Sequence, residues 1–129
     1  MKYLLDSNFL ISIFRGEKSA LNKAKRLQNE DHDVFTTSIN AAELYEGAFR
    51  STRTSSHLQI LEGLWELFPV IEFSKHHAKE FGRIKAQLNL DEYNVNDILI
   101  ASVANYLQAV VITKNKKGFE KTGAALEGW

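Results

Sequence analysis

Two of the acidic residues stand where apolar segments of the sequence begin or end, and a third lies inside such a segment. Asp6 follows the apolar run in KYLL, Glu43 lies among small and apolar neighbours in INAAELYEGAF, and Asp97 opens the apolar segment DILIASVANYL. A further polar residue, Asn115, follows the apolar run AVVIT. Carboxylates that share a pocket repel one another unless a cation neutralises them, and Mg²⁺ and Mn²⁺ prefer oxygen ligands. Hydrolysis of a phosphodiester is the chemistry that such a metal site performs best.

Each of these residues also has an ordinary structural explanation. Asp6 suits the N-cap of a helix over FLISIF, and taken alone this explanation is favoured. Asp97 could be an N-cap or a first-turn acid that the helix dipole favours. Glu43 could be a solvated glutamate on an amphipathic helix, and Asn115 could be a turn residue. Only their joint occurrence beside core elements indicates a site.

Other common chemistries lack their sequence patterns. The chain has no G-x-x-x-x-G-K-[ST] or G-x-G-x-x-G loop for a nucleotide and no G-x-S-x-G elbow for a serine nucleophile. Cysteine is absent, which excludes a zinc–thiolate site and a thiol nucleophile. The histidines lack ligand spacing, and we expect them at the surface or partly buried: His32, His57, His76 and His77.

Composition predicts one ordinary domain. At 129 residues, 44% hydrophobic and 25% charged, the chain can bury one sizeable core, so we expect a single domain over residues 1–129. No signal peptide is indicated, because Asp6, Ser7 and Asn8 interrupt the first apolar run. The stretch ILIASVANYLQAVVIT is too short for a comfortable membrane span. We therefore expect a cytoplasmic protein.

Basic residues are clustered locally although the formal net charge is zero. Zero net charge means that no global basic field indicates nucleic acid. Lys114, Lys116 and Lys117 follow AVVIT, and Arg50 and Arg53 follow the segment that contains Glu43. A solvated surface is the ordinary explanation of such clusters. Their position beside predicted strand ends modestly favours contact with a phosphate backbone.

Strand-like and helical segments alternate along the chain. The predicted strands are KYLL, DVFTTS, PVIEF and AVVIT, with GAALEGW as a candidate short last one. Helices are predicted over FLISIF, over about residues 19–29, 39–49, 56–67 and 75–88, and over ILIASVANYL. This alternation predicts an α/β fold whose parallel sheet is covered on both faces. Ligands bind such sheets at the carboxyl ends of the strands, where Asp6 and Thr113 lie.

Four blocks of the sequence, in order, resemble the PIN-domain family, in particular its VapC toxin type. They are YLLDSNFLI, TTSINAAELYEGA, NDILIASVANYLQAVVITKN with its T-x-[ND] turn, and the tail pairs GF and GW. Asp6, Glu43 and Asp97 stand at the positions of the family's three catalytic acids. The resemblance extends over essentially the whole chain.

The resemblance implies a three-layer α/β sandwich with a central parallel sheet of four to five strands flanked by helices. It implies an acidic pocket in which Asp6, Glu43 and Asp97 bind Mg²⁺ or Mn²⁺, with Asn115 completing the shell and Ser7 and Thr113 in support. The implied activity is an endoribonuclease, the toxin of a toxin–antitoxin pair. Such proteins usually dimerise, are inhibited by an antitoxin whose tail fills a groove, and often bind promoter DNA through that complex.

The chain departs from the family pattern at two positions. The fourth acidic position is Asn115, and Gly118 stands where an Asp or Glu often precedes the Phe. Asp91 and Glu92 could supply another carboxylate, although a polar loop is the simpler explanation. Two alternatives to the toxin stay open. One is a catalytically idle module that binds RNA or a protein, and the other is a housekeeping nuclease for RNA processing or DNA repair.

Overall fold

The computed structural model describes residues 1–88 and 93–129 of the chain. Within these ranges it contains five strands and seven helices. In chain order they are β1 Lys2–Leu5, α1 Ser7–Phe14, α2 Lys18–Asn29, β2 Asp33–Thr37, α3 Ser38–Arg50, α4 Thr54–Leu67, β3 Val70–Ile71, α5 Lys75–Gln87, α6 Val95–Leu107, β4 Val110–Ile112, α7 Lys116–Phe119 and β5 Ala125–Glu127.

The five strands form one parallel sheet in the order β3-β2-β1-β4-β5. The central strand β1 pairs Leu4 with Phe35 of β2 and Leu5 with Ile112 of β4. The chain passes outward from β1 through β2 to β3, and then returns to the other side of β1. The crevice between the ends of β1 and β4 is therefore the topological switch point, where open α/β sheets bind ligands. The predicted fold is confirmed.

Two hydrophobic cores cover the two faces of the sheet. Alternate residues of a strand point to opposite faces, so Leu5 packs against the helices α1 to α4 while Leu4 packs against α5 to α7. The helix α6 is buried on most sides, which agrees with its nearly continuous apolar sequence. The result is the three-layer sandwich that the sequence predicts.

The structure corrects some element boundaries. The helix α6 begins at Val95 with Asn94 as its N-cap, so Asp97 lies in the first turn and does not cap the helix. The segment after β4 forms the short helix α7, which the sequence analysis did not predict. Asp91 and Glu92 lie outside the described residues. Within the described ranges, every helix is too short or too polar to cross a membrane.

Ile100→Ala should lower the free energy of unfolding by about 2–5 kcal/mol, because it leaves a cavity in the core beneath α6. Ile100 is 1% exposed, whereas Val95 at the start of the same helix is 47% exposed. Val95→Ala is the matched control, and its effect should stay within about 0.5 kcal/mol. Urea denaturation measures both variants. Equal losses in the two would contradict the packing described here.

Candidate active site

Asp6 is a buried carboxylate at the carboxyl end of the central strand. Asp6 is 4% exposed, and its backbone N–H donates to the carbonyl of Ile112 at 3.1 Å. Its Oδ1 accepts from the Ser7 backbone N–H at 2.9 Å, and its Oδ2 accepts from the Thr113 hydroxyl at 2.7 Å. Asp6 is thus the N-cap of α1 and also part of a polar cluster between β1 and β4.

Asn40, which the sequence analysis did not select, donates hydrogen bonds to this cluster from the buried face of α3. It is fully buried and donates through Nδ2 to Asp6 Oδ1 at 3.1 Å and to the Ser7 hydroxyl at 2.9 Å. Its Oδ1 accepts from the Thr37 hydroxyl at 2.7 Å. The signal in the sequence is the helical period: Asn40, Leu44 and Ala48 are four residues apart and share the buried face of α3.

Ser7 connects Asp6 to Glu43. Its hydroxyl accepts from Asn40 and donates to Glu43 Oε1 at 2.7 Å. Both Ser7 and Glu43 are half-buried. Glu43 lies one helical turn after Asn40. The helix α3 therefore places the Asn40 amide on Asp6 and the Glu43 carboxylate on Ser7. The sequence analysis named Ser7 and Glu43, and the structure joins them.

Asp97 and Asn115 form the opposite wall of the cluster. Asn115 Nδ2 donates to Asp97 Oδ2 at 3.2 Å, and the Asn115 backbone N–H donates to the Thr113 hydroxyl at 2.9 Å. Thr113 therefore links Asp6 to the Asp97–Asn115 pair. Asn8, also missed from the sequence, donates to the same hydroxyl at 3.2 Å.

The charges of Asp6 and Glu43 act on the Asp97 carboxylate. The pKa of Asp97 is raised to about 6, first by burial and then by the charge of Asp6, with a smaller contribution from Glu43; the Asn115 hydrogen bond opposes the shift. Burial also raises the pKa of Asp6, against the hydrogen bonds from Thr113, Ser7 and Asn40. A divalent cation would relieve this repulsion.

The donor set fits a hard cation, but the side chains do not converge on one point. Carboxylate and amide oxygens are the ligands that Mg²⁺ and Mn²⁺ prefer. However, among residues 1–88 and 93–129 no three His, Asp or Glu side chains lie close enough together to share an ion. Glu43 is turned to Ser7.

The basic residues divide into two groups. Lys114, Lys116 and Lys117 are exposed on either side of Asn115, and Lys114 Nζ lies 4.5 Å from the centre of the Trp129 ring. Arg50 instead pairs with Glu46 at 2.8 Å, at the far end of α3. Arg50 lies seven residues beyond Glu43, about 10 Å along the helix. The exposed Arg53 follows it. Of these five predicted contacts, only the lysines thus lie next to the cluster.

The expectation that all histidines lie at the surface or partly buried is wrong for His77. This residue is 4% exposed, and its Nδ1 accepts from the Ser74 backbone N–H at 3.0 Å in a capping box at the start of α5. Burial lowers its pKa. His77 is thus explained by the capping of α5.

The PIN domain family model matches residues 3–125, so the chain belongs to the PIN domain family. It is similar to Ribonuclease VapC2 of Haemophilus influenzae, with 29% identity over 100% of this chain and 98% of that one. It is 25% identical to a tRNA(fMet)-specific endonuclease VapC of Shigella flexneri, over 100% and 98% of the two chains. The structure of VapBC2 from Rickettsia felis, bound to a promoter DNA fragment, matches with a TM-score of 0.91 and 27% identity, over 100% and 99%.

Asp97→Asn should raise the free energy of unfolding of the metal-free protein at neutral pH. Between about pH 4 and 6, Asp97 is still protonated in the folded protein but has lost its proton in the unfolded chain. Stability therefore falls as pH rises through this window. At about 1.4 kcal/mol per pKa unit, discounted for the partial exposure of Asp97, the expected gain is about 1–2 kcal/mol.

Urea denaturation in EDTA at about pH 3.5, 5 and 7 measures this gain, which should shrink at the lowest pH. A variant that is less stable than the wild type at pH 7 would show that Asp97 is not under electrostatic repulsion.

Proposed function

We propose that this protein is a metal-dependent endoribonuclease and the toxin of a toxin–antitoxin pair. The observation that carries the proposal is the polar cluster around Asp6, in which Thr113 reaches the Asp97–Asn115 pair and Ser7 reaches Glu43. This cluster lies at the switch point of a parallel sheet, the usual ligand site of such folds. The names of the two ribonuclease relatives support RNA as the substrate.

In this proposal Asp6, Glu43 and Asp97 hold Mg²⁺ or Mn²⁺ directly or through water, and Asn115 completes the shell or orients a water. When bound, the cation would supply a water activated for attack and would stabilise the charge that develops on the phosphoryl oxygens. Thr113 and Ser7 keep the carboxylates oriented through their hydroxyl groups.

The position of Glu43 restricts how the cation is held. Mg²⁺ in proteins is often bound by one or two carboxylates while it keeps several waters. In the proposal Asp6 and Asp97 hold it while Glu43 keeps its hydrogen bond to Ser7. Glu43 then contributes through water, or after that hydrogen bond opens. The three exposed lysines beside Asn115 suit contacts to the RNA phosphates.

The proposed partner is a small antitoxin, in a complex that binds promoter DNA, and the proposed toxin is a homodimer. Support for the antitoxin and the DNA comes from the Rickettsia felis structure, which contains VapBC2 with promoter DNA; the homodimer is what the family resemblance implies. A groove of about 260 Å³ between α1, α3 and α4 adjoins Glu43 and is lined mainly by apolar side chains such as Ile11, Phe14 and Leu61. This groove is suited to an apolar antitoxin segment that ends beside the acidic cluster.

Two features favour a second candidate, the catalytically idle module that binds RNA or a protein. No three of the described carboxylates and histidines converge on a shared ion, and Asn115 stands where the family resemblance places a fourth acid. Such a module would bind RNA through the same lysines without turnover. Cleavage separates the two functions, because binding alone supports both.

Asp6→Asn should lower metal-dependent RNA cleavage by roughly 100-fold or more, because the site acts as a unit and Asp6 lies at its centre. The assay uses purified partner-free protein with a mixture of tRNA and rRNA, in Mg²⁺, in Mn²⁺ and in EDTA. Asp33→Asn is the matched control, since Asp33 is exposed at the opposite end of the sheet. That control should cut like the wild type.

Cutting that persists in EDTA, or equally in Asp6→Asn, would reject the metal site. If the folded wild type cuts no RNA with either metal, the binding module replaces the nuclease.

A further inference from the structure

The backbone of α7 approaches the Asp97–Asn115 pair most closely at Gly118. A Cβ atom at this position would overlap the amide nitrogen of Asn115 and would lie 2.5 Å from Asp97 Oδ2. Real Cβ atoms do not come so close to a non-bonded atom. The space that a side chain would need at position 118 is occupied by the two polar groups that form the wall of the site.

Conformational freedom does not explain this glycine. Among the described glycines, Gly16 and Gly123 have positive φ angles, and Gly118 does not. In the longer helices, a Cβ atom at Gly47, Gly63 or Gly82 would meet nothing within 4 Å. Gly118 therefore differs from the other helical glycines because of what it touches.

Gly118 also fixes the orientation of Asn115 through a hydrogen bond. Its backbone N–H donates to Asn115 Oδ1 at 3.3 Å, so that Nδ2 of the same amide faces Asp97. The Asn115 backbone N–H is bound to Thr113, which holds Asp6. The side-chain amide of Asn115 is thus bound through both its oxygen and its nitrogen. This arrangement requires the α7 backbone to lie close to Asn115.

We infer that Gly118 is a positioning residue of the site. Because it has no side chain, the α7 backbone can lie close to Asn115, and the side-chain amide of Asn115 then reaches the Asp97 carboxylate. The inference rests on the proposed function for its effect on catalysis, and on the geometry alone for its effect on Asn115. Gly118 and Asn115 form a matched pair, because the side-chain amide of Asn115 occupies the space that a side chain at position 118 would need.

Gly118→Ala should disturb the site while leaving the fold intact. The three atoms nearest to the new methyl group are Asn115 Nδ2, Asp97 Oδ2 and Asn115 Cγ. All three belong to side chains, which can rotate away without moving the backbone. The φ angle of Gly118 is accessible to alanine, and alanine is the better helix former. The expected result is a melting temperature close to that of the wild type, with Asn115 displaced from Asp97.

The experiment compares the wild type, Gly118→Ala, Asn115→Ala, the double variant and Gly82→Ala, the control in α5 with open space around it. In RNA cleavage with Mn²⁺, Gly118→Ala should lower kcat about 10-fold or more with KM changed by less than about 3-fold. Gly82→Ala should match the wild type. The double variant should be no slower than Asn115→Ala, because both changes remove the same contact.

A second readout does not depend on activity. The side-chain amide resonances of Asn115, assigned by their loss in Asn115→Ala, should shift in Gly118→Ala and stay unchanged in Gly82→Ala. If the wild type cuts no RNA, the proposed function fails, and these resonances alone decide the inference. If Gly118→Ala does not fold but the double variant does, the matched pair is supported directly.

Three results would overturn the inference. They are an unshifted Asn115 amide in Gly118→Ala, additive losses of kcat in the double variant, and a failure of both Gly118→Ala and the double variant to fold. The last result would make Gly118 a structural requirement of α7 that does not act through Asn115.

Discussion

The buried carboxylate of Asp6 is the constraint on which the arrangement of this molecule depends. A carboxylate removed from water costs several kcal/mol unless donors satisfy it. Here the donors are the Ser7 backbone N–H, the Asn40 amide and the Thr113 hydroxyl. They come from the segments that follow β1, β2 and β4, so they meet only when the three strands are paired in parallel register. The centre of the sheet and the candidate site are specified by the same contacts.

These donors do not cancel the cost of burial. The pKa values of Asp6 and Asp97 are both raised from the ordinary value for aspartate by burial, and for Asp97 the charges of Asp6 and Glu43 add to this effect. The fold thus keeps charged groups together that repel one another, at the expense of stability. A ligand that binds only the folded state adds to its stability, and a divalent cation at this cluster would do so by removing the repulsion. In the proposed nuclease, function and stability therefore depend on the same ion.

The parts of this account that could be predicted from the sequence are those that local patterns encode. Apolar runs that stop at Asp6 and before Asn115 reveal strand ends, and their alternation with helices predicts the parallel sheet. Asn40 was missed because a polar residue early in a helix is usually solvated, although its spacing from Leu44 placed it on the buried face. The tight contact at Gly118 could not be predicted, because α7 has only four residues and so shows no helical period. The close approach between α6 and α7 is also a tertiary property, which local patterns do not encode.

The central claim is the proposed one: Asp6 and Asp97, with Glu43 directly or through water, hold a divalent cation at the end of β1. The most direct measurement is anomalous X-ray diffraction from crystals of the wild-type protein grown with Mn²⁺. The account predicts an anomalous peak at ligand distance, roughly 2–2.5 Å, from a carboxylate oxygen of Asp6 and from one of Asp97, with Asn115 facing it. Manganese found only at exposed carboxylates such as Asp33, with the hydrogen bonds around Asp6 unchanged, would contradict it.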